Sequence, residues 1–215
     1  SVVNSGEISG VVNAYASSVD SSAYATAHAV GVLQLAHAAI DTADVYNEGT
    51  ITATGNADAV AENDATAHAN ATGIYQEVTY GAPPFYAVTA NASVTNLGSI
   101  SAVADANAVS TSSDAYATAY AHGVWQDNHA IEDSSVTLDN HGDISARAIA
   151  SANGDTTDYA EAVAIGHQIG VNDFYPGSPI VSPVIDVMND KGATITAFAS
   201  AEANDTANAA AAGGA

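Results

Sequence analysis

The fold is decided by the stretch Asn47-Glu48-Gly49-Thr50-Ile51-Thr52-Ala53 and by its recurrence along the 215-residue chain. With the preceding Val45, this stretch carries the pattern apolar-x-Asn-x-Gly-x-Ile. Five copies of the pattern at a regular spacing indicate a repeat protein rather than independent globular domains. The other four copies, of which the last has two inserted residues, begin at Val2, Val94, Leu138 and Val187.

A second pattern, Ala-x-Ala-x-Ala-x-Gly, follows each copy of the first. Alanine recurs at every second position, and a period of two is typical of a β-strand, whose successive side chains point to opposite faces. Alanine is a poor strand former, so its recurrence on one face predicts two sheets that approach too closely for larger side chains. The second pattern occupies residues 25–31, 67–73, 117–123 and 160–166, with a degenerate copy at 207–213.

The two patterns and their spacing predict an all-β fold: a parallel β-solenoid in which each repeat forms one flattened coil with an alanine-lined interior. The leading apolar residues lie 43, 49, 44 and 49 positions apart, so repeats of about 45 residues alternate between short and long. We expect a single array over residues 1–215, with repeats that start near residues 2, 45, 94, 138 and 187 and a last repeat that is incomplete. The motif asparagines share the phase of the inward apolar residues and are expected to stack as a buried ladder.

Two other architectures fit the same periodicity. Each repeat can be divided into two unlike coils of about 22 residues, which gives a wider three-sided β-helix whose interior alanine fills poorly. The second alternative is an array of antiparallel β-hairpin modules. The longer return segments contain all five prolines and several aromatic residues, and we expect them to form protruding loops near residues 80–86 and 174–183.

The chain is strongly acidic, with 24 Asp and Glu residues against two basic residues and a formal net charge of -22. Such a charge excludes electrostatic binding to nucleic acid or to an anionic membrane surface. The sequence contains no run of about 18 apolar residues, so no membrane-spanning segment is predicted. The absence of cysteine excludes disulfides, thiolate metal sites and a cysteine nucleophile.

No catalytic or cofactor-binding motif interrupts the repeats, and we predict that the protein is not an enzyme. Acidic side chains recur in the turns between the two patterned runs, where stacked oxygen-rich turns suit Ca²⁺. His28 and His68 are interpreted as equivalent positions of adjacent repeats, which favours an outward-facing ladder over a pair of ligands for a divalent metal. The candidate calcium ligands are Asp20, Asp64, Asp114, Asp155 and Asp205.

Three Asn-x-Ser/Thr sequences are potential N-glycosylation sites, and they begin at Asn70, Asn91 and Asn204. Asn91 is the preferred candidate of the three. The reason is that we expect Asn91 to lie in a long loop, where a glycan is easily accommodated.

The form Val-x-Asn-Ser-Gly-x-Ile at residues 2–8, together with its later copies, resembles the repeat of bacterial β-solenoid surface proteins. Autotransporter passengers and filamentous-haemagglutinin-like adhesins belong to this group. The resemblance implies a secreted, non-enzymatic protein of the cell surface.

These features predict an extracellular structural protein that assembles head to tail with copies of itself into a fibre, sheath or surface layer. Both ends of the array are expected to be sheet edges in repeat register without a capping element, and such edges pair readily. The alternative is an adhesin or autotransporter passenger rod that binds a host or glycan surface. Contacts to a glycan or to neighbouring filaments are expected through the loops at 80–86 and 174–183.

Overall fold

The computed structural model describes residues 1–38, 40–79, 89–130, 133–171 and 183–213. Within these ranges the chain forms β-strands joined by turns, without an α-helix. This described part of the chain accordingly has no helix that could cross a membrane. In chain order the strands are β1 (Val2–Asn4), β2 (Glu7–Ser18), β3 (Ala23–Ala36), β4 (Ile40–Asn47), β5 (Thr50–Ala61), β6 (Ala65–Val78), β7 (Thr89–Asn96), β8 (Ser99–Ser110), β9 (Ala115–Asn128), β10 (Asp133–Asn140), β11 (Asp143–Asn153), β12 (Asp158–Val171), β13 (Val184–Asn189), β14 (Thr194–Glu202) and β15 (Thr206–Ala212).

Three consecutive strands form one coil, and the described strands build five stacked coils. The first strand of each coil lies in sheet A (β1-β4-β7-β10-β13), the second in sheet B (β2-β5-β8-β11-β14) and the third in sheet C (β3-β6-β9-β12-β15). Coil 1 comprises β1–β3, coil 2 β4–β6, coil 3 β7–β9, coil 4 β10–β12 and coil 5 β13–β15. Neighbouring strands in all three sheets run parallel, which confirms the predicted parallel β-solenoid.

The register joins each motif residue to its counterpart in the next coil. Asn4 pairs with Asn47, and Asn47 pairs with Asn96. These partners are 43 and 49 residues apart, so one coil takes up a whole repeat. The architecture with two coils per repeat is therefore wrong. The array of antiparallel hairpins is also wrong, because every named pair of described strands is parallel.

The sequence patterns predict two sheets, and the structure has a third, sheet A, which the sequence interpretation missed. The missing strand directly precedes each motif asparagine, as β10 precedes the turn after Asn140. Its signal was present as a short alternation: Val136, Leu138 and Asn140 are buried, and the residues between them are partly exposed. The strand is short, with 8 residues in β10 against 14 in β9, and it lacks an alanine run.

The flattened part of each coil lies between sheets B and C, where alanine side chains from both sheets form the core. Ala102 of β8 and Ala119 of β9 are examples, and both are completely buried. Larger apolar residues such as Ile100, Val124 and Leu138 fill the wider space where the three sheets meet. The predicted narrow interior is thus confirmed for sheets B and C, while sheet A encloses a second, wider part of the core.

Candidate functional site

Coils 1 and 5 each leave one edge of all three sheets without a partner strand among the described residues. We call the edge formed by β1, β2 and β3 the N-terminal edge, and the edge formed by β13, β14 and β15 the C-terminal edge. Ala207 and Ala209 at the C-terminal edge are exposed, whereas their partners Ala160 and Ala162 in β12 are fully buried. At the N-terminal edge the inward-facing Val12 is 36% exposed. Backbone hydrogen-bonding groups and the apolar interior are therefore open at both ends of the described solenoid.

The motif asparagines form the predicted ladder of hydrogen bonds, and the ladder has a direction. Asn4 donates from Nδ2 to Oδ1 of Asn47 at 2.8 Å, and Asn47, Asn96 and Asn140 each donate in the same way to the asparagine of the next coil. Asn4 also donates to the carbonyl oxygen of Thr50 in the next coil at 3.2 Å. In all four asparagine–asparagine bonds, the donor lies in the lower-numbered coil and the acceptor in the higher-numbered one.

The two ends of this ladder are complementary. At the C-terminal edge, Nδ2 of Asn189 donates to the carbonyl oxygen of Ala193 in its own turn at 3.1 Å and, among the described residues, has no acceptor in another coil. At the N-terminal edge, Oδ1 of Asn4 accepts the amide of Gly6 at 3.1 Å and has no donor from another coil in the described chain. One edge therefore offers an amide donor where the other offers an amide acceptor.

The motif glycine is required by the close stacking of the turns, with one exception. A Cβ on Gly49 would lie 1.9 Å from the carbonyl oxygen of Gly6, and a Cβ on Gly98 would lie 2.0 Å from that of Gly49. Such distances exclude any side chain at these positions. For Gly6, however, nothing lies within 4 Å of the corresponding Cβ position, and its φ is not positive. No contact within the described chain therefore requires glycine at residue 6.

The turn of coil 5 is built differently because alanine occupies the glycine position. The amide of Thr194 donates to the carbonyl of Gly142 at 3.1 Å, as the amide of Asp143 donates to that of Gly98, so Ala193 is the counterpart of Gly142. Two inserted residues lengthen this turn, and Gly192 adopts a φ of 103° within it.

The predicted calcium ligands lie in or beside the turns between sheets B and C, but they do not converge. Asp64 and Asp114 are on consecutive rungs. Oδ1 of Asp64 accepts the hydroxyl of Ser113 at 2.8 Å, and Oδ1 of Asp114 accepts the amide of Thr157 at 3.1 Å. In the part of the chain that the structure describes, no group of three or more His, Cys, Asp or Glu side chains is arranged to hold a metal ion. Calcium binding at Asp20, Asp64, Asp114, Asp155 and Asp205 stays a prediction.

Hydrogen bonds donated by hydroxyl groups stabilise the charged form of Asp114. The hydroxyl of Thr156 donates to Asp114 and lowers the pKa of that carboxyl, with smaller contributions from Tyr116 and Thr157. Asp114 is consequently held in its charged form by protein donors. Its charge therefore does not by itself require a bound cation.

The interpretation of His28 and His68 as equivalent positions is wrong. The register of sheet C pairs His68 with Thr26 and His28 with Asn70, so the two imidazoles are offset by two positions along the strands. The sequence contained the correct alignment, since His28 lies three residues before Gly31 whereas His68 lies five before Gly73. His68 instead packs its ring edge-on against Tyr24, with the ring centroids 5.3 Å apart.

Two of the potential glycosylation sites lie in strands. Asn91 is in β7 rather than in a loop, and its Oδ1 accepts the hydroxyl of Ser135 in the next coil at 2.6 Å. The placement of Asn91 was predicted wrongly because sheet A was not recognised. Asn70 lies in β6 with a partly exposed side chain, and Asn204 is exposed in the turn between β14 and β15. Whether any of the three carries a glycan stays a prediction.

The outward face of sheet C is rich in aromatic residues, which the sequence interpretation did not single out as a site. Tyr75 and Trp125 lie on consecutive rungs with ring centroids 5.0 Å apart and planes at 73°, and His122 lies 5.0 Å from Trp125. The hydroxyl of Tyr75 donates to Glu77 at 3.0 Å. Burial, and then this hydrogen bond, raise the pKa of Tyr75 to about 12. The face therefore combines aromatic rings with carboxylates.

The predicted contact loops at residues 80–86 and 174–183 lie outside the described residues, apart from Pro183. No protein-family model matches the chain, and comparisons with curated proteins and with solved structures likewise find no match. The resemblance to bacterial β-solenoid surface proteins is therefore confirmed for the architecture alone.

Proposed function

We propose that this chain is an extracellular structural protein whose copies assemble head to tail into a filament, with the C-terminal edge of one copy stacked on the N-terminal edge of the next. The observation that carries the proposal is the complementarity of the asparagine ladder at the two edges. Asn189 has an amide donor free for another coil, and Asn4 has the matching acceptor. A second copy placed in repeat register satisfies both groups at once.

The joint repeats the hydrogen bonds that connect neighbouring coils within one chain. Asn140 donates to Oδ1 of Asn189 and to the carbonyl of Thr194 in the next coil. By the same rule Asn189 donates to Oδ1 of Asn4 in the next copy and to the carbonyl of Glu7, since Glu7 is the counterpart of Thr50. The open backbone edges of all three sheets pair in parallel at the same time. Because the two surfaces differ, the contact is heterologous and produces an open chain of subunits.

Gly6 supports this arrangement independently. At Gly49, Gly98 and Gly142, the carbonyl oxygen of the preceding coil occupies the space that a Cβ would need. The same space beside Gly6 is free at the open N-terminal edge. In the assembled joint that space receives the carbonyl of Ala193 from the preceding copy, since Ala193 is the counterpart of Gly142. A glycine that no contact among the described residues requires thus has a role between two copies.

The test uses Gly6→Leu and the matched control Ser5→Leu. Gly6→Leu should leave the fold intact, because nothing lies within 4 Å of the new Cβ, but should block stacking at the joint. Ser5→Leu adds the same side chain at the neighbouring position. The counterpart of Ser5 in coil 3 is Leu97, which is 44% exposed although coil 3 is stacked on both sides, so leucine is compatible with stacking there. Sedimentation velocity and negative-stain electron microscopy should show filaments for the unchanged chain and for Ser5→Leu, and monomers for Gly6→Leu.

Filaments from folded Gly6→Leu would contradict this joint, and a chain that stays monomeric at all salt concentrations would contradict the assembly itself. Salt matters because subunits with a net charge of -22 repel one another, and added salt screens that repulsion. Circular dichroism of both variants verifies that they retain the β-sheet fold.

A glycan-binding rod is the second candidate function, and the aromatic face of sheet C favours it. Rings such as Trp125 and Tyr75 can stack on the apolar faces of sugars, while Glu77 can accept hydrogen bonds from sugar hydroxyls. The acidic charge of the chain favours neutral polysaccharides over anionic ones. Co-sedimentation with insoluble neutral polysaccharides tests this: Trp125→Ala should lose binding, and Ser101→Ala on the outward face of sheet B should not.

A further inference from the structure

Two outward-facing columns end in exposed apolar residues at both edges of the described solenoid. The column in sheet A contains Tyr46, Thr95 and Asp139 in coils 2 to 4, but it begins with Val3 in coil 1 and ends with Met188 in coil 5. Val3 is 72% exposed and Met188 is 49% exposed. Side chains with polar groups therefore occupy the middle of this column, and apolar ones occupy its two ends.

The column in sheet B ends in the same way. Val11 in coil 1 is 59% exposed and Phe198 in coil 5 is 54% exposed, whereas Thr54, Val103 and Arg147 lie between them in coils 2 to 4. When two copies stack in repeat register, the apolar residue at the end of each column lies beside the apolar residue that begins the same column in the next copy. Both pairs then remove apolar surface from water.

The same two edges carry opposite charges in the turns that follow the motif asparagines. Lys191, the one lysine of the chain, lies in the lengthened turn of coil 5, where the amide of Ala193 donates to the carbonyl of Asp190 at 3.0 Å. Glu7 lies just after the corresponding turn of coil 1. Lys191 and Glu7 are exposed, and neither forms an ion pair among the described residues. Each edge therefore presents a charge that lacks a counterion in its own described chain.

We propose that an ion pair between Lys191 of one copy and Glu7 of the next fixes the orientation of the joint, and that the apolar end residues of the two columns pack beside it. The proposal rests on the end-to-end stacking proposed above and names the side chains that select a second copy of this chain. In repeat register Glu7 lies beside Thr194, three residues after Lys191, and the flexible stem of lysine lets its ammonium group approach the carboxylate. Complementary charges favour this partner over other acidic solenoids.

The test exchanges the two charges in the variants Glu7→Lys and Lys191→Glu. Both positions are exposed, so both variants should keep the fold, which circular dichroism verifies. Each variant alone should raise the protein concentration needed for filaments roughly three- to tenfold, because every joint then brings two like charges together. An equimolar mixture should restore assembly, because alternating copies pair a lysine with a glutamate at every joint. Sedimentation velocity and negative-stain electron microscopy measure both effects.

Glu7→Lys also separates the ion pair from a general effect of charge. The variant makes the net charge of -22 less negative, so reduced repulsion alone would strengthen assembly, whereas loss of the ion pair weakens it. The matched control is Glu62→Lys, which makes the same change at an exposed turn of coil 2, away from both edges. This control should assemble at least as readily as the unchanged chain.

Met188→Thr tests the apolar contact separately. Threonine is compatible with this position, because coil 3 carries Thr95 in the same column. The variant should raise the concentration needed for filaments, and the control Leu97→Ser, which removes an exposed leucine from coil 3, should not. Filaments that are indifferent to the charges at residues 7 and 191, or a mixture that assembles no better than either variant alone, overturn this inference but not the stacking. A chain that forms no filaments overturns the proposed function and this inference with it.

Discussion

His167 is a polar residue whose counterparts in coils 1 to 3 are apolar. It occupies an inward column that holds Val32, Ile74 and Val124 in coils 1 to 3. Its Nε2 is 2.9 Å from Oε1 of Gln126, to which it donates, and Gln126 in turn donates to the glutamine of coil 2. Burial lowers the pKa of His167 from 6.5 to about 4. The imidazole is therefore neutral in the folded protein at neutral pH.

This lowered pKa predicts a pH-dependent contribution to stability. Between pH 6.5 and about 4 the unfolded chain binds a proton at His167 that the folded chain does not bind, so stability falls as the pH decreases through this window. His167→Val introduces the residue of coils 1 and 3 and removes this effect. Urea unfolding at about pH 7.5 and about pH 5 should show that the unchanged chain loses more stability on acidification than the variant does. Equal losses of stability in the two chains would contradict the neutral state of the imidazole. Because both chains contain the other acidic groups and histidines, the effect of their titration cancels in the comparison.

At the scale of elements, the decisive feature is the close approach of sheets B and C. Ala146 of β11 is 2% exposed and packs in the alanine core, whereas the next residue, Arg147, points outward and lies over the ring of Phe198 at 5.9 Å. The two residues alternate between the narrow interior and the surface. This pair therefore offers a direct comparison of the two faces of one strand.

Ala146→Leu should destabilise the fold, because sheets B and C leave no room for three more carbon atoms. We expect a loss of about 1 to 3 kcal/mol or more in the free energy of unfolding. Arg147→Leu should change it by less than about 1 kcal/mol, since it removes only an exposed cation–π contact. Chemical denaturation of both variants measures the difference. Equal tolerance of leucine at the two positions would contradict the close approach of the sheets.

At the scale of the whole molecule, the solenoid is a stack in which each coil contacts only its neighbours. The inward residues of coil 3 are completely buried, as Ala104 and Ala119 show, whereas β15 is exposed along its whole length. Stability in such a stack is carried by the interfaces between coils, so the terminal coils, with one interface each, open first.

Amide hydrogen exchange should therefore follow the order of the coils. In the Gly6→Leu variant, whose edges stay uncovered, strands β8 and β9 should exchange most slowly. The strands of the two terminal coils, β1 to β3 and β13 to β15, should exchange most rapidly, because each has only one neighbouring coil among the described residues. Mass spectrometry of peptides from each coil measures this order. Uniform protection along the chain would show that the solenoid opens as one cooperative unit instead.

The sequence by itself determined the architecture of this protein. Alanine at every second position specifies strands with one face of small side chains, which can fill only a narrow core. The Asn-x-Gly turn recurs at a regular spacing, and parallel stacking in register is the arrangement that buries every copy of it. Asn47 and Gly49 act through contacts with their own counterparts, so their roles can be read from the repeat alone. Periodic residues are predictable because their neighbours are other copies of themselves.

The tertiary structure decided what the repeat does not contain. The offset of His28 from His68 depends on register, and the position of Asn91 in β7 depends on the pairing of sheet A, whose strands are too short to be evident without their partners. Asp158 and His167 break the pattern, and only the packed structure shows that Asp158 is buried and that His167 is partly buried on an inward column. The physical reason is that a residue that differs from its counterparts has neighbours of another type on the adjacent rungs. Its environment is therefore set by contacts with residues more than 40 positions away in the sequence.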